Sequence, residues 1–509
     1  MKILALNPKD FYSGWPVQND FGREFCRCFA LTFPILKRLL PPGHEMRFLD
    51  GFFDPIPMNK YLELLRWPEL VAMNISASYS TLSYAIAIKQ IKRINPRAKI
   101  IAGGHHAYLF RKRWLQMGVD VIATGESELM FARLVEQLAG KQQYDQVPGV
   151  AFLADGQYME TAPPPQIPTL DESPEPDLDL IKIPLYRSNY LRPGGGLLGS
   201  LETSRGCVFR CKFCTTPIFW GGTQRYKSLG RVQKDLEALL ARGIETIAVL
   251  DDGFGNDPDY TREFIKLVSG YRDRMNWMSF LRIDTVLKEP ELIDKMGHSG
   301  MRLAYIGFES LDEDSLRTSL GKGMRVPEDL RKFQEIYHRF RRNNIILLGA
   351  FITAHPGVSK TRRTSYFAAR TICDGARFGD YKPFPGTRGY DQIAEKYPMK
   401  DMFFHDTKLP VFQENNSEAF WSNLFYLLDL PRDLQLIFGG FHYRGHFLTM
   451  HRYLWSKTFR VSRRKLRDYL LLRRRDLTSD QKQEQLFQWY LDDPAYERWL
   501  DAQGARIWF

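Results

Sequence analysis

The chain has 509 residues, 44% hydrophobic and 26% charged, which is enough apolar material for buried cores and excludes a disordered polymer. Lys and Arg outnumber Asp and Glu by 71 to 59, and the formal net charge of +12 is compatible with nucleic acid, an anionic membrane surface or anionic ligands. Six cysteines in so long a chain make no disulfide scaffold, no apolar run approaches the ~20 residues that span a bilayer, and "MKILALNPKD" is no secretory leader, so about three domains in the reducing cytoplasm are expected.

Residues 1–145 alternate strands with helices. "KILALNP" is an apolar run closed by Pro8, "ELVAMNISA" (69–77) a second, and "TLSYAIAIKQIKRINP" has apolar residues at helical spacing until Pro96 stops it. "AKIIAGGHHA" is a third strand ending in Gly103-Gly104, and "VDVIATGESE" a fourth running into a helix from about Leu129. This alternation predicts an α/β domain with a doubly wound, Rossmann-like parallel sheet, whose ligands bind at the C-terminal strand ends. Residues 146–198 are rich in proline and acid and read as a linker with little regular structure.

From 199 to 395 the alternation returns. The strands are "GSLETS", "ETIAVLDD", "WMSFLRID", "RLAYIGFES" and "IILLGAFI"; the helices include "VQKDLEALLARG", capped by Gly243, and "DYTREFIKLVSG". Five or six such units in series suit a partial (β/α)6 barrel of the TIM type. Its strand ends would gather Asp251, Asp252, Arg282, Glu309, Ser310 and His355 on one face. Residues 396–509 turn aromatic and basic, densest over 452–476, and read as a separate helical domain. Its basic stretch is first a solvated helix face, second a peripheral contact with anionic lipid; nucleic acid is the weakest of the three.

The stretch "SRGCVFRCKFCTTP" (204–217) places Cys207, Cys211 and Cys214 at C-x-x-x-C-x-x-C spacing. Structural zinc needs four ligands, usually as two pairs, and no second pair lies nearby. Three thiolates on one loop suit a cubane 4Fe-4S cluster, holding three irons and leaving the fourth open to a ligand. Cys26, Cys28 and Cys373 read as buried or half-buried thiols.

This loop resembles the signature of the radical S-adenosylmethionine enzymes. "VLDDGF", "LRID", "YIGFESLDEDSLRTSLGKG", "GAFITAHPG" and "KPFPGT" follow in the expected order, so the resemblance covers about 200–390. It implies that the open iron chelates the amino and carboxylate groups of S-adenosylmethionine, whose reductive cleavage gives a 5′-deoxyadenosyl radical able to take hydrogen from an unactivated carbon. It makes Arg282 a candidate for the methionyl carboxylate and Glu309 for the ribose hydroxyls, with Ser310 and Asp251 as further cofactor contacts and Phe213 packed near the adenine. An electron donor of the flavodoxin or ferredoxin type is implied as well.

The first domain resembles the cobalamin-binding domain of one large class of these enzymes. Ser76 and Ser78 end one strand, Gly103 and Gly104 another, and Gly125, Glu126 and Glu128 close the last; small residues there would admit the cofactor's nucleotide tail. The usual D-x-H-x-x-G segment is missing, since the first loop reads "NPKDFYSGW", which leaves Tyr12 or water beneath cobalt. His105 and His106 read as pocket or structural histidines, and a relic domain that only packs on the barrel is the bland alternative.

Together these implications point to a cobalamin-dependent C-methyltransferase acting on a small-molecule or lipid-like substrate. The alternatives are an oxidative cyclase or rearranging enzyme, like the anaerobic magnesium-protoporphyrin ester cyclase, and a non-catalytic iron–sulfur or cobalamin carrier. A tRNA methylthiotransferase would carry three further cysteines in its first domain, where only Cys26 and Cys28 occur. The substrate pocket is expected between barrel mouth, cobalamin face and C-terminal region, with Trp220, Phe384 and Trp421 as lining candidates.

Overall fold

The computed structural model describes residues 1–394 except 9–27, 55, 77–80, 141–142, 189–195, 323–329, 354–368, 370 and 382–383. Tyr12, Cys26, Ser78, His355, Trp421 and the whole region after 395 lie outside the described residues.

The first sheet contains β1 (Lys2–Asn7), β2 (Glu45–Asp50), β3 (Leu70–Asn74), β4 (Lys99–Gly103), β5 (Val121–Ala123), β6 (Val150–Ala154) and β7 (Gln157–Glu160), in the order 2-1-3-4-5-6-7. The first five are parallel, and β1 and β3 are buried almost throughout because helices cover both faces. Leu4 and Leu6 pack toward helix Thr81–Ile94, while Ile3 and Ala5 pack toward helix Phe131–Ala139.

Strands β6 and β7 correct the expectation of an unstructured linker from 146. They form an antiparallel hairpin that extends the first sheet, with Val150, Ala151 and Phe152 buried. Its turn is Asp155-Gly156, both at positive φ (48° and 78°), the mirror-image turn that matches strand twist. The signal was present in "FLADGQYM", where Asp-Gly stands between apolar runs.

The second unit adds β8 (Arg187–Ser188), β9 (Gly196–Leu201), β10 (Ser204–Gly206), β11 (Gln224–Tyr226), β12 (Thr246–Val249), β13 (Asn276–Arg282), β14 (Met301–Glu309), β15 (Ile346–Thr353) and β16 (Gly375–Asp380). Its sheet runs 16-15-14-13-12-9-8; six strands are parallel and only the two-residue β8 is antiparallel. The helices lie outside. One of them, Pro258–Ser269, begins at Asp257, whose carboxylate accepts from the Asp259 and Tyr260 amides at 3.0 Å, and buries Phe264, Ile265 and Val268. Outside the sheet, Phe254, Phe264 and Trp277 meet edge to face. Inside, Leu198, Ala248, Met278, Leu303 and Leu348 fill the bottom of the barrel, with Cys28 against them.

The two units are sewn together by buried contacts. Ser200 Oγ donates to the Phe29 carbonyl, Phe29 and Phe53 meet Tyr186 edge-on, and the Tyr186 hydroxyl donates to Asp50 Oδ2 at 2.7 Å.

Candidate functional site

Strand β9 delivers the chain to Thr203 and Ser204, and Asp251 at the end of β12 anchors it there. Its carboxylate accepts from the Thr203 amide (2.7 Å), the Thr203 hydroxyl and the Ser204 hydroxyl (2.7 Å). Burial pushes the Asp251 carboxyl up to about 6 despite these hydrogen bonds. Asp251 is therefore a scaffold for the cysteine loop. The ribbon β10–β11 closes the loop at its base. Gly206 has φ 86°, and a Cβ there would lie 2.1 Å from the Thr223 carbonyl oxygen, so only glycine fits.

The three thiols of Cys207, Cys211 and Cys214 are partly exposed around this loop. Burial raises the Cys214 thiol to about 11, with Cys211 and Cys207 near enough to push in the same direction. Two nitrogen donors face sulfur: Asn256 Nδ2 lies 3.5 Å from Cys207 Sγ and Arg282 Nη1 lies 3.7 Å from Cys211 Sγ. Asn256 is held by Gln224 Oε1 at 2.9 Å, and the Arg282 guanidinium lies 3.6 Å over the Phe209 ring. Among the described residues no three Cys, His, Asp or Glu side chains converge on one ion-sized volume. A set of soft thiols alone, spread round a loop with N–H donors aimed at sulfur, fits a polynuclear iron–sulfur cluster.

Beside the loop, Arg282 spends most of its fork on protein: Nε and Nη2 reach Asp284 (2.9 and 3.2 Å) and Nη2 also reaches the Lys322 carbonyl (3.2 Å). It stands as a positive charge next to Cys211. Glu309 ends β14 in the left-handed region (φ 63°), where the β14–β15 register slips, and Oε1 is 3.3 Å from Lys322 Nζ. Backbone strain of this kind persists where surroundings over-determine it. Ser310 is buried and its hydroxyl accepts from the Asp312 amide at 3.1 Å, so it shapes a turn. Phe213 packs on the barrel core.

On the other unit, Gly104 (φ 93°) leaves no room for a side chain: a Cβ would lie 2.5 Å from Asn74 Oδ1 and 2.6 Å from Ser76 Oγ. The ends of β3 and β4 thus close tightly around Ser76, Gly103 and Gly104. Gly125 and Glu126 face elsewhere. A Cβ at Gly125 would strike Pro164 at 2.5 Å, and the Glu126 carboxylate pairs with Arg205 (2.6 Å) and Arg225 (2.9 Å) and accepts from the Ile167 amide (2.9 Å). Both have their contacts at the junction with the barrel.

The strand end at Gly104 and the cysteine loop meet directly. The His105 ring lies 4.2 Å from Phe219, Tyr108 meets Phe219 edge-on, and the Trp220 indole donates to Asp252 Oδ2 at 2.9 Å. Burial lowers the His105 pKa against the opposing pull of Asp252, and His105 Nε2 is buried without a partner among the described residues. His106 is structural, accepting from the Trp114 indole at 3.1 Å. Phe384 packs on the first unit's core. Asn256, Gln224, Lys322 and Arg205 were not singled out from sequence, because their partners lie far along the chain.

Two family models match: the radical SAM superfamily over residues 201–365 and the B12 binding domain over 28–135. An uncharacterised methyltransferase of Pyrococcus horikoshii is 26% identical over 70% of this chain and 77% of its own length. The hopanoid C-3 methylase of Methylococcus capsulatus is 26% identical over 90% of this chain and 87% of its own. The anaerobic magnesium-protoporphyrin IX monomethyl ester cyclase of Synechocystis is 24% identical over 69% of both. Among solved structures, the radical S-adenosylmethionine methyltransferase TsrM of Kitasatospora setae aligns with a TM-score of 0.60 at 17% identity, over 78% of this chain and 75% of that one. At such identity the likeness speaks for the fold.

Proposed function

Because the chain belongs to the radical S-adenosylmethionine superfamily and carries a B12-binding domain in front of the barrel, we propose that it is a radical C-methyltransferase whose substrate is lipid-like. When bound, the cluster with S-adenosylmethionine supplies hydrogen abstraction from an unactivated carbon, and cobalamin supplies the methyl carrier. Cys207, Cys211 and Cys214 would hold the cluster, with Asn256 and Arg282 donating toward sulfur. Glu309, Lys322 and Arg282 would offer both signs of charge to a zwitterionic amino acid group. Cobalamin would bind at the C-terminal ends of β3 and β4, beside Ser76, Gly103 and Gly104.

The observation that carries the reading is the direct contact of the two strand-end faces through His105, Phe219 and Trp220. A radical centre on one and a methyl carrier on the other would then share one chamber. Inside the barrel Phe280 lies on the same side of β13 as Met278 and Arg282; it is 41% exposed and 5.2 Å from Tyr305 above the apolar floor. Exposed aromatic surface at that depth suits an apolar substrate. The alignment with the hopanoid methylase points the same way. Its uncovered tenth, about 51 residues, is too short to omit the 114 residues after 395, the region in which a lipid contact is proposed. No helix among the described residues is long and apolar enough to cross a membrane. Electrons would come from a flavodoxin- or ferredoxin-type donor.

A second reading is an oxidative cyclase without methyl transfer, favoured by the alignment with the magnesium-protoporphyrin ester cyclase. S-adenosylmethionine carrying a deuterated methyl separates the two. The label enters an apolar product under the first reading and is absent from product under the second.

A further inference from the structure

Eight charged side chains form a closed, neutral set where the first unit, the linker and the cysteine loop converge. Arg205 is 7% exposed and reaches Glu126 and Glu128, each at 2.6 Å, and Glu202 at 2.8 Å. Arg225, on the strand paired with β10, reaches Glu126 at 2.9 Å; Lys227 reaches Asp235 and Glu202, and Arg231 reaches Asp235. The linker is threaded through the same knot. Ser173 Oγ donates to Glu128 at 3.2 Å, the Ile167 amide donates to Glu126, and Arg225 and Arg231 donate to the carbonyls of Ile167, Asp171 and Ser173. Glu126 and Glu128 follow β5, which pairs in parallel with β4, the strand that ends at Gly103. Arg205 stands two residues before Cys207.

We propose that Arg205 is a positioning residue for transfer between the two cofactors: it ties the cysteine loop to the end of β5 and so fixes the distance from the cluster side of the chamber to the cobalamin side. This rests on the reading of the two sites given above. An Arg fork with three carboxylates in fixed planes holds orientation as well as distance, which a single point charge does not. The chemistry separates into two parts that depend on the junction differently. Reductive cleavage of S-adenosylmethionine to methionine and 5′-deoxyadenosine needs one electron and a hydrogen atom and takes place within the barrel. Methyl transfer from S-adenosylmethionine to reduced cobalamin breaks the S–CH3 bond, leaves the electron pair on sulfur as S-adenosylhomocysteine, and crosses the junction.

The test uses the full chain with its cluster reconstituted, hydroxocobalamin, S-adenosylmethionine and titanium(III) citrate as reductant, and no organic substrate. Arg205→Gln, Arg205→Lys and Glu128→Gln are compared with wild type; Glu128 lies on the far unit, so its replacement changes no residue of the cysteine loop. Expected is a fall of about tenfold or more in S-adenosylhomocysteine formed per bound cobalamin, with 5′-deoxyadenosine formation within about twofold of wild type, and partial recovery in Arg205→Lys over Arg205→Gln. Hydrogen exchange of the cofactor-free protein should rise at 204–206 and 224–226 in Glu128→Gln. Equal loss of both products in Glu128→Gln, or loss of neither, overturns the assignment. A wild-type protein that makes 5′-deoxyadenosine but no S-adenosylhomocysteine contradicts the methyltransferase reading itself, and the assignment falls with it.

Discussion

Cys207, Cys211 and Cys214 are the proposed cluster ligands, and each is expected to be indispensable. Replacing Cys207, Cys211 or Cys214 by Ala should reduce bound iron and 5′-deoxyadenosine formation by at least about a hundredfold, read by iron analysis and chromatography after anaerobic reconstitution. Full turnover in any of the three variants would refute the ligand set. Asp251 offers a second test, through pH. Its carboxyl titrates near 6 in the folded protein against an ordinary 3.8, so between those values the folded chain holds the proton that the unfolded chain releases. The contribution of this group to stability is thus largest below about 4 and is lost as pH rises toward 6, with a slope of at most about 1.4 kcal/mol per pH unit. Denaturant titrations of wild type and Asp251→Asn between pH 4 and 7 should differ by that slope; parallel curves would show that Asp251 is ordinary. Residues of this kind were only half legible. The cysteines announce themselves by spacing, whereas the protein hydrogen bonds of Asp251 and Ser310 leave no mark in the sequence.

At the scale of elements, the alternation of apolar strands and amphipathic helices was readable wherever one strand follows one helix. The hairpin β6–β7 was missed because its proline-rich sequel drew the whole stretch into a linker, although Asp155-Gly156 marks the turn. Two glycines separate backbone strain from crowding. Gly156 sits at φ 78° with nothing within 4 Å of its missing Cβ, so Gly156→Ala should cost about 1 kcal/mol and leave iron binding unchanged. Gly206 has similar φ but faces the Thr223 carbonyl, so Gly206→Ala must displace the β10–β11 ribbon and should lower iron content as well as stability. Equal behaviour of the two variants, followed by urea unfolding and iron analysis, would contradict the role given to the ribbon.

Across the whole molecule, the informative contacts join residues that sequence keeps far apart. Glu126 and Arg205 are 79 positions apart, and Tyr186 meets Asp50 across 136. No periodicity reports such pairs, so nothing in the sequence marks Glu126 and Gly125 as junction residues. Buried ion pairs add little net stability, yet removing one partner costs about 3–5 kcal/mol because a charge is left uncompensated. The knot around Arg205 is therefore better understood as a device of geometry than of stability. It holds two cofactor-binding units in one arrangement, over an apolar barrel floor with Phe280 exposed and Tyr305 half-buried above it.

The most direct measurement of the central claim is a single anaerobic reaction of the reconstituted holoprotein with methyl-deuterated S-adenosylmethionine and an apolar lipid extract from a strain lacking the gene. Expected are 5′-deoxyadenosine and S-adenosylhomocysteine in about equal amounts, with an intact deuterated methyl group on a carbon of a lipid product. Formation of 5′-deoxyadenosine and an altered product, with no S-adenosylhomocysteine and no deuterium gained, would contradict the account.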